Sequence, residues 1–342
     1  MQDDTFSNQS NRERLKNEII WQNPWSYFIN FSFSNRTGLF FGPREEIDPI
    51  ISFNPEVINE DIDLYLAKQE EKYSNITPGT EKRILWHAAK GSQTPISIVV
   101  MHGFSATSEE IRPVPDLVAE ALEANIYFMR FKGHGRDGTA LASAKAGDWL
   151  EDAAEAIEIG RRIGEKVLVI ATSMGGTIAT ISASMPELRE DVMGYTLVSP
   201  LYGVNNPAAN LLSLPFARQW IPLVAGETRS WEPDNEGHGK YWTTSYPTVS
   251  ALPMQAAINY ANSLETDKIT TPALFIYSEQ DQVVDTTEIE NKLKSWGGAV
   301  TVAKRVMSDK DDPQSHVIAG DIRSPTQTKD TVEIIVNWVK KL

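Results

Sequence analysis

The segment Ala171-Thr172-Ser173-Met174-Gly175-Gly176 sets one serine between two apolar runs, Lys166 to Ile170 before it and Thr177 to Ile181 after it. A β-branched strand, a turn of small residues and a helix meeting at a serine push its hydroxyl out of the backbone, where it can serve as a nucleophile. Ala171, Gly175 and Gly176 are small enough to allow so sharp a turn. The helix that starts behind the serine offers unpaired N–H groups to a developing oxyanion.

A serine hydroxyl is a poor nucleophile until a base removes its proton. The chain has 5 histidines. A nucleophile on such a turn is followed along the chain by the acid and then the histidine, which leaves His238 and His316. His238 lies in Glu236-Gly237-His238-Gly239, within a stretch that reads as a mobile insertion and would hold it poorly. His316 follows the last strand on the polar loop Asp311-Asp312-Pro313-Gln314-Ser315, at the carboxyl edge of the sheet. It is the expected base, with a solvated loop histidine as the bland alternative. The acid should end a strand between serine and histidine, and Glu279, Asp281 and Asp285 all follow the run Ala273 to Tyr277. Asp281 sits far enough beyond the strand to reach over the sheet edge. Asp285 precedes Thr286 and Thr287 and is explained by helix capping.

The oxyanion needs two N–H donors. Met174 supplies one. The other should come from His102-Gly103-Phe104 after the run Ile96 to Met101, where Gly103 permits unusual backbone angles and Phe104 becomes the second donor. His102 reads as a buttress of this loop. Gly133-His134-Gly135 reads as a tight turn, and Asp137 and Asp148 as turn and cap residues. The sequence holds no cysteine, no His-Glu-x-x-His pattern and no Gly-Lys-Ser/Thr after Gly176. A cysteine nucleophile, a disulfide and a P-loop are thereby excluded, and no catalytic metal is expected.

The elements that must position these residues follow from periodicity. Ile96 to Met101, Ile126 to Phe131, Lys166 to Ile170, Tyr195 to Val198, Ala273 to Tyr277 and Val300 to Val306 read as buried parallel strands, and Arg83 to His87 as an edge strand. Trp149, Ala153, Ile157 and Gly160 share one face of a helix from about Asp148 to Ile163. Leu117, Ala121 and Leu122 mark a second helix after Pro115, and Thr331, Ile334, Ile335 and Trp338 a closing one. This alternation predicts an α/β chain with a mostly parallel, doubly wound sheet. Residues 201–271 break the rhythm with prolines and aromatics such as Phe216, Trp220, Trp231, Tyr241, Trp242 and Tyr246, and read as an inserted cap over the carboxyl ends of the strands. The core is expected over 81–200 and 272–342. Residues 1–80 form an N-terminal extension whose aromatics, Trp21, Trp25, Tyr27, Phe28, Phe31, Phe33, Phe40 and Phe41, are expected to pack on the main domain.

The 342-residue chain is 41% hydrophobic, enough for a sizeable core, and carries a net charge of -14. That charge argues against nucleic acid and anionic lipid surfaces as partners. No apolar run is long enough to span a bilayer, and the acidic start Met1-Gln2-Asp3-Asp4-Thr5 lacks the features of a signal peptide. A cytoplasmic location is the default expectation, and an exported one follows if a signal segment had been removed. The oligomeric state is left open.

Together, His102-Gly103-Phe104, Gly133-His134-Gly135 with Asp148-Trp149 downstream, Thr172-Ser173-Met174-Gly175-Gly176, and Asp281 followed by Ser315-His316-Val317 resemble the α/β-hydrolase superfamily. More narrowly they resemble its monoacylglycerol lipase and small bacterial carboxylesterase branch, over about residues 80 to 342. The resemblance implies a Ser173, Asp281, His316 triad, an oxyanion hole of the Phe104 and Met174 N–H groups, an acyl-serine intermediate and no cofactor. One departure stands out, since Ala171 replaces the first glycine of the common Gly-x-Ser-x-Gly pattern and adds a methyl group that tunes the packing. The expected substrates are small-molecule esters of short- to medium-chain acyl groups, or monoglycerides, because the aromatic insertion suggests an apolar pocket. An amidase or aminopeptidase on the same triad is the enzymatic alternative, with Glu227, Glu232, Asp234 and Glu236 available to hold an amine. A non-catalytic ligand-binding protein of the same fold is the alternative from another class.

Overall fold

The computed structural model describes residues 42–342, so the aromatic residues between Trp21 and Phe41 lie outside the described part. Nine strands are described: β1 (Arg83–Leu85), β2 (Thr94–Met101), β3 (Asn125–Phe128), β4 (Gly164–Thr172), β5 (Val192–Val198), β6 (Thr228–Ser230), β7 (Ser245–Pro247), β8 (Ala273–Tyr277) and β9 (Val300–Lys304). The first helices are α1 (Ile62–Glu70), α2 (Val114–Leu122), α3 (Gly138–Ala142), α4 (Ala146–Ile163), α5 (Met174–Ser184) and α6 (Pro186–Arg189). They are followed by α7 (Ala217–Ala225), α8 (Glu236–Tyr241), α9 (Ala251–Ser263), α10 (Thr286–Ser295) and α11 (Thr328–Val339). Seven strands form one sheet in the order β1-β3-β2-β4-β5-β8-β9, with β1 antiparallel to β3 and every other pair parallel. β6 and β7 form a separate two-stranded ribbon.

The central strands carry long apolar runs, such as Ile98–Met101 and Val167–Ala171, because both faces of the sheet are covered there. Their side chains alternate between two cores, as a period of two requires. Val99, Met101, Val167, Val169 and Ala171 pack with Trp149 and Ile157 of α4 and Ile178 of α5. Ile98, Val100, Leu168 and Ile170 pack on the other face with Val118 of α2 and Ile335 and Trp338 of α11.

The register also sets the loops that matter. Met101 pairs with Ala171, Thr172 with Val198, and Val198 with Ile276, so the segments following β2, β4, β5 and β8 all leave the sheet at one edge. Among the described residues no helix is long and apolar enough to cross a membrane.

Three expectations are corrected. β3 ends at Phe128 rather than Phe131, because beyond it the Phe131 N–H turns to His102 Nε2 (3.2 Å) and the Arg130 guanidinium to Glu70 of α1 (2.7 Å). β9 ends at Lys304 rather than Val306 and is not buried. It is paired on one side only, and Val302 and Val306 are 44% and 79% exposed. The insertion ends earlier than residue 271, because Ala257, Ile258 and Ala261 of α9 are buried in the same core as Ile178. α9 is the crossover helix leading into β8, and Pro253 sits in its first turn, where no backbone N–H is required.

Part of the segment before residue 81 is built into the core. Ile58, Ile62, Tyr65 and Leu66 are buried there. The Tyr65 hydroxyl donates to Glu155 (2.6 Å), and the Ser52 and Phe53 N–H groups donate to Glu151 (2.7 and 2.8 Å).

Candidate active site

β4 ends at Thr172 and α5 begins at Met174, so Ser173 alone makes the turn, with φ 49° and ψ −117°. A non-glycine residue held in such a region costs about 1–3 kcal/mol and persists only where neighbours enforce it. Here the Ser173 N–H donates to Val198 O (2.9 Å), and the Ser173 carbonyl accepts from Leu201 N–H (3.0 Å). Gly175 closes the turn onto the preceding loop. A Cβ at that position would lie 2.3 Å from Met101 O and 2.7 Å from His102 O, so no side chain fits. Ala171 is fully buried between Met101 and Leu197. Ser105, Ser199 and Ser315 share positive φ values of 61°, 42° and 55°, so backbone strain gathers on the loops around Ser173.

The structure brings Ser173, His316 and Asp281 together. Ser173 Oγ lies 3.0 Å from His316 Nε2, and His316 Nδ1 lies 2.8 Å from Asp281 Oδ2. The other Asp281 oxygen, Oδ1, accepts the N–H groups of Val283 (2.8 Å) and Val284 (2.9 Å), which fixes the carboxylate plane. Nδ1–H therefore points at the carboxylate, and the bare Nε2 faces the hydroxyl. Burial alone pushes His316 towards the neutral form. The Asp281 carboxylate, helped by Glu110 and Asp312, more than reverses this and raises its pKa above the ordinary value.

His316 is also held through its backbone. Asp312 Oδ2 accepts the N–H groups of His316 (3.0 Å) and Val317 (2.8 Å), while its Oδ1 pairs with the Arg323 guanidinium. In the sequence Asp312 reads only as part of a polar loop. An aspartate four residues before the histidine was the available signal, since short acidic side chains cap N–H groups a few residues on.

The loop after β2 lies against the serine, because a Cβ on Gly103 would sit 3.1 Å from Ser173 Cβ. Among the described residues the N–H groups of Phe104 and Met174 have no other acceptor, which leaves both available. His102 accepts the Phe131 N–H on Nε2 and donates Nδ1–H to Gly103 O (2.9 Å). Burial pushes its pKa down to about 4, so it is neutral and ties two loops together. His134 packs edge-on to Phe104 and Trp149, with ring centroids 5.8 and 5.7 Å away. Asp137, Asp148 and Asp285 accept backbone N–H groups at the starts of α3, α4 and α10. Among the described residues no group of three or more histidine or acidic side chains is arranged to hold a metal ion.

His238 corrects an expectation. It is not loosely held. Its Nδ1 accepts from Arg323 Nη1 (2.9 Å) and from the Asp234 N–H (3.2 Å), and Trp242 packs edge-on to its ring. Arg323 thus bridges Asp234 and His238 of the insertion to Asp312 of the His316 loop.

Residues 98–320 match the sequence profile of a family described as the alpha/beta hydrolase family. The chain is similar to a thermostable monoacylglycerol lipase of Bacillus sp. (strain H-257), 23% identical over 190 residues that cover 56% of this chain and 72% of that protein. Among solved structures it resembles the metagenome-derived lipolytic enzymes LipS and LipT, with 20% identity, a TM-score of 0.64, and 78% of this chain and 100% of that one covered. It also resembles a soluble variant of the monoglyceride lipase of Saccharomyces cerevisiae in complex with a substrate analogue. That match has 12% identity, a TM-score of 0.54, and covers 78% and 96% of the two chains.

Proposed function

The chain belongs to the alpha/beta hydrolase family, and on that premise we propose that it is a serine ester hydrolase acting through an acyl-serine intermediate on carboxylic esters of short- to medium-chain acyl groups. The observation that carries this reading is the hydrogen-bonded line from Ser173 Oγ through His316 to Asp281, with steps of 3.0 and 2.8 Å. Ser173 Oγ attacks the ester carbonyl carbon as its proton passes to His316 Nε2. The negative charge that develops on the carbonyl oxygen is met by the Phe104 and Met174 N–H groups. When the C–O bond breaks, the leaving alkoxide takes the proton from His316. Water then repeats the sequence on the acyl-serine, and the scheme uses no cofactor.

Two features favour apolar acyl esters. Tyr246 packs on the Phe104 ring (5.5 Å), and Trp231 packs on Tyr246 (5.6 Å), which gives the insertion an aromatic side near the proposed oxyanion loop. The insertion also exposes Leu211, Leu214, Phe216, Leu223 and Val224, an apolar surface of the kind that meets apolar ligands. The lipolytic names of the similar proteins agree with this reading. The peptidase alternative is weakened because Asp234, one of the acids that could hold an amine, is ion-paired with Arg323.

Purified protein should hydrolyse p-nitrophenyl butyrate and leave aminoacyl anilides essentially untouched. Only neutral His316 accepts the serine proton, and the Asp281 carboxylate beside it holds its pKa above the ordinary value against the opposing effect of burial. The value of kcat/KM should therefore rise with pH through a midpoint above the ordinary histidine value. Faster anilide turnover, or a flat profile between about pH 5 and 8, would overturn the reading.

Asp281→Asn should lower kcat by roughly 10⁴-fold, the scale seen when a triad carboxylate becomes an amide. Val283 and Val284 both donate to Oδ1, so an asparagine keeps its carbonyl there and turns its NH2 to His316 Nδ1. That forces the proton onto Nε2, which can then accept nothing from Ser173. Stopped assays on the purified variant check this.

A further inference from the structure

Glu110 is a fully buried carboxylate that the proposed reaction does not use. Its Oε2 accepts the Gly103 N–H at 2.7 Å. A Cβ on Gly103 would fall 2.7 Å from Glu110 Oε1 and 3.1 Å from Ser173 Cβ, so Gly103 lies between the carboxylate and the serine with no room for a side chain. The following peptide is fixed too, because Gly103 O accepts from His102 Nδ1 (2.9 Å) and from the Ala106 N–H (3.3 Å).

We propose that Glu110 is the positioning residue of the oxyanion hole: by holding the Gly103 N–H it fixes the peptide before the glycine, and so the direction in which the Phe104 N–H points. The inference rests on the reading of Ser173 as nucleophile and Phe104 as oxyanion donor. Glycine has more backbone freedom than any other residue, and a free Gly103 could swing the next N–H away from its target. A planar trans peptide points its N–H opposite to its C=O. His102 and Ala106, by binding the Gly103 carbonyl, set the plane that carries the Phe104 N–H, and Glu110 sets the plane before it. With both planes held, the two soft angles of Gly103 are determined.

The carboxylate has a second, electrostatic consequence. Burial pushes Glu110 up to about 7, and the groups that pull it back are the Gly103 N–H and His316. In turn His316 is faced by Asp281 from the loop after β8, by Glu110 from the loop after β2 and by Asp312 from its own loop. Removing the Glu110 charge therefore lowers the His316 pKa.

Two substitutions separate geometry from charge. Glu110→Asp keeps the charge on a side chain one methylene too short to reach Gly103. Its kcat should fall roughly 10- to 100-fold, since losing an oxyanion donor outright costs about 10²–10³-fold and misplacement by an ångström about 10²-fold. KM should stay within about 2-fold, because the ground-state ester does not need the donor. The inhibition constant of an alkyl trifluoromethyl ketone, whose serine adduct carries an oxyanion, should rise by the factor that kcat/KM falls. Glu110→Gln keeps an acceptor for the Gly103 N–H and should retain kcat at high pH, with the acid limb of its pH profile moved to lower pH. Equal activity in wild type and Glu110→Asp, or a loss in Glu110→Gln as large as in Glu110→Asp, would overturn the proposal. A wild-type chain that neither cleaves p-nitrophenyl butyrate nor reacts with a fluorophosphonate would instead overturn the reading on which it rests.

Discussion

Ser173→Ala should lose ester turnover by a factor on the order of 10⁵ or more while the fold stays intact. Among the described residues the hydroxyl makes one hydrogen bond, to His316 Nε2 at 3.0 Å. The bonds that hold the turn run through the backbone, from Ser173 N–H to Val198 O and from Leu201 N–H to Ser173 O, and alanine keeps both. The positive φ of 49° is no worse for alanine than for serine, since both carry a Cβ. Far-UV circular dichroism and the thermal midpoint should match wild type. Initial rates on p-nitrophenyl butyrate should fall to the level of a protein that only binds and polarises the ester, and fluorophosphonate labelling should vanish. Turnover above about one thousandth of wild type would place the nucleophile elsewhere.

His316→Ala should fall to a similar level, because residues that work as one unit are strongly non-additive. Without the imidazole the Ser173 hydroxyl loses the hydrogen-bond partner it has among the described residues, and with it the base aligned to take its proton. The loop itself should survive, since Asp312 holds it by the main-chain N–H groups of residues 316 and 317 and not by the ring. The double variant Ser173→Ala/His316→Ala should be no slower than either single variant. The sigmoidal pH dependence should disappear with the imidazole. A His316→Ala protein that keeps the wild-type acid limb would show that another group titrates in turnover, and His238 would be the next histidine to test.

Much of the fold was legible because the central strands are fully covered. A strand stretch buried on both faces is mostly apolar, as Val167–Ala171 in β4 and Ala273–Tyr277 in β8 are. The edge was less legible. Val300 to Val306 is as β-branched as the centre, yet β9 has a partner on one side only, and apolar composition does not reveal which strand is last. α9 is hard to read because Pro253 and the nearby aromatics look irregular, although a proline in a first turn is compatible with a helix. The proximity of Ser173, Asp281 and His316 was legible because each follows a readable strand and the parallel register carries all three to one sheet edge. Glu110, Asp312 and Arg323 were not. Glu109 and Glu110 are adjacent identical residues, and only packing shows that one pairs with Arg83 and Arg112 while the other turns inward to Gly103. The anchoring of His238 is hidden for the same reason, since the arginine that holds it lies 85 positions away.

The Arg323 bridge has a mechanical consequence. Its guanidinium is the rivet between the 234–238 end of the insertion and the aspartate that steadies the imidazole loop. A wholesale hinge motion of the insertion would shear that rivet and disturb the very loop that turnover depends on. The 207–225 stretch is tied elsewhere, to the segment before α1, by Arg218 to Glu45 (2.7 Å) and by the Phe216 N–H to Pro43 O (2.8 Å), so the two ends of the insertion are anchored to different parts of the chain and could be released independently.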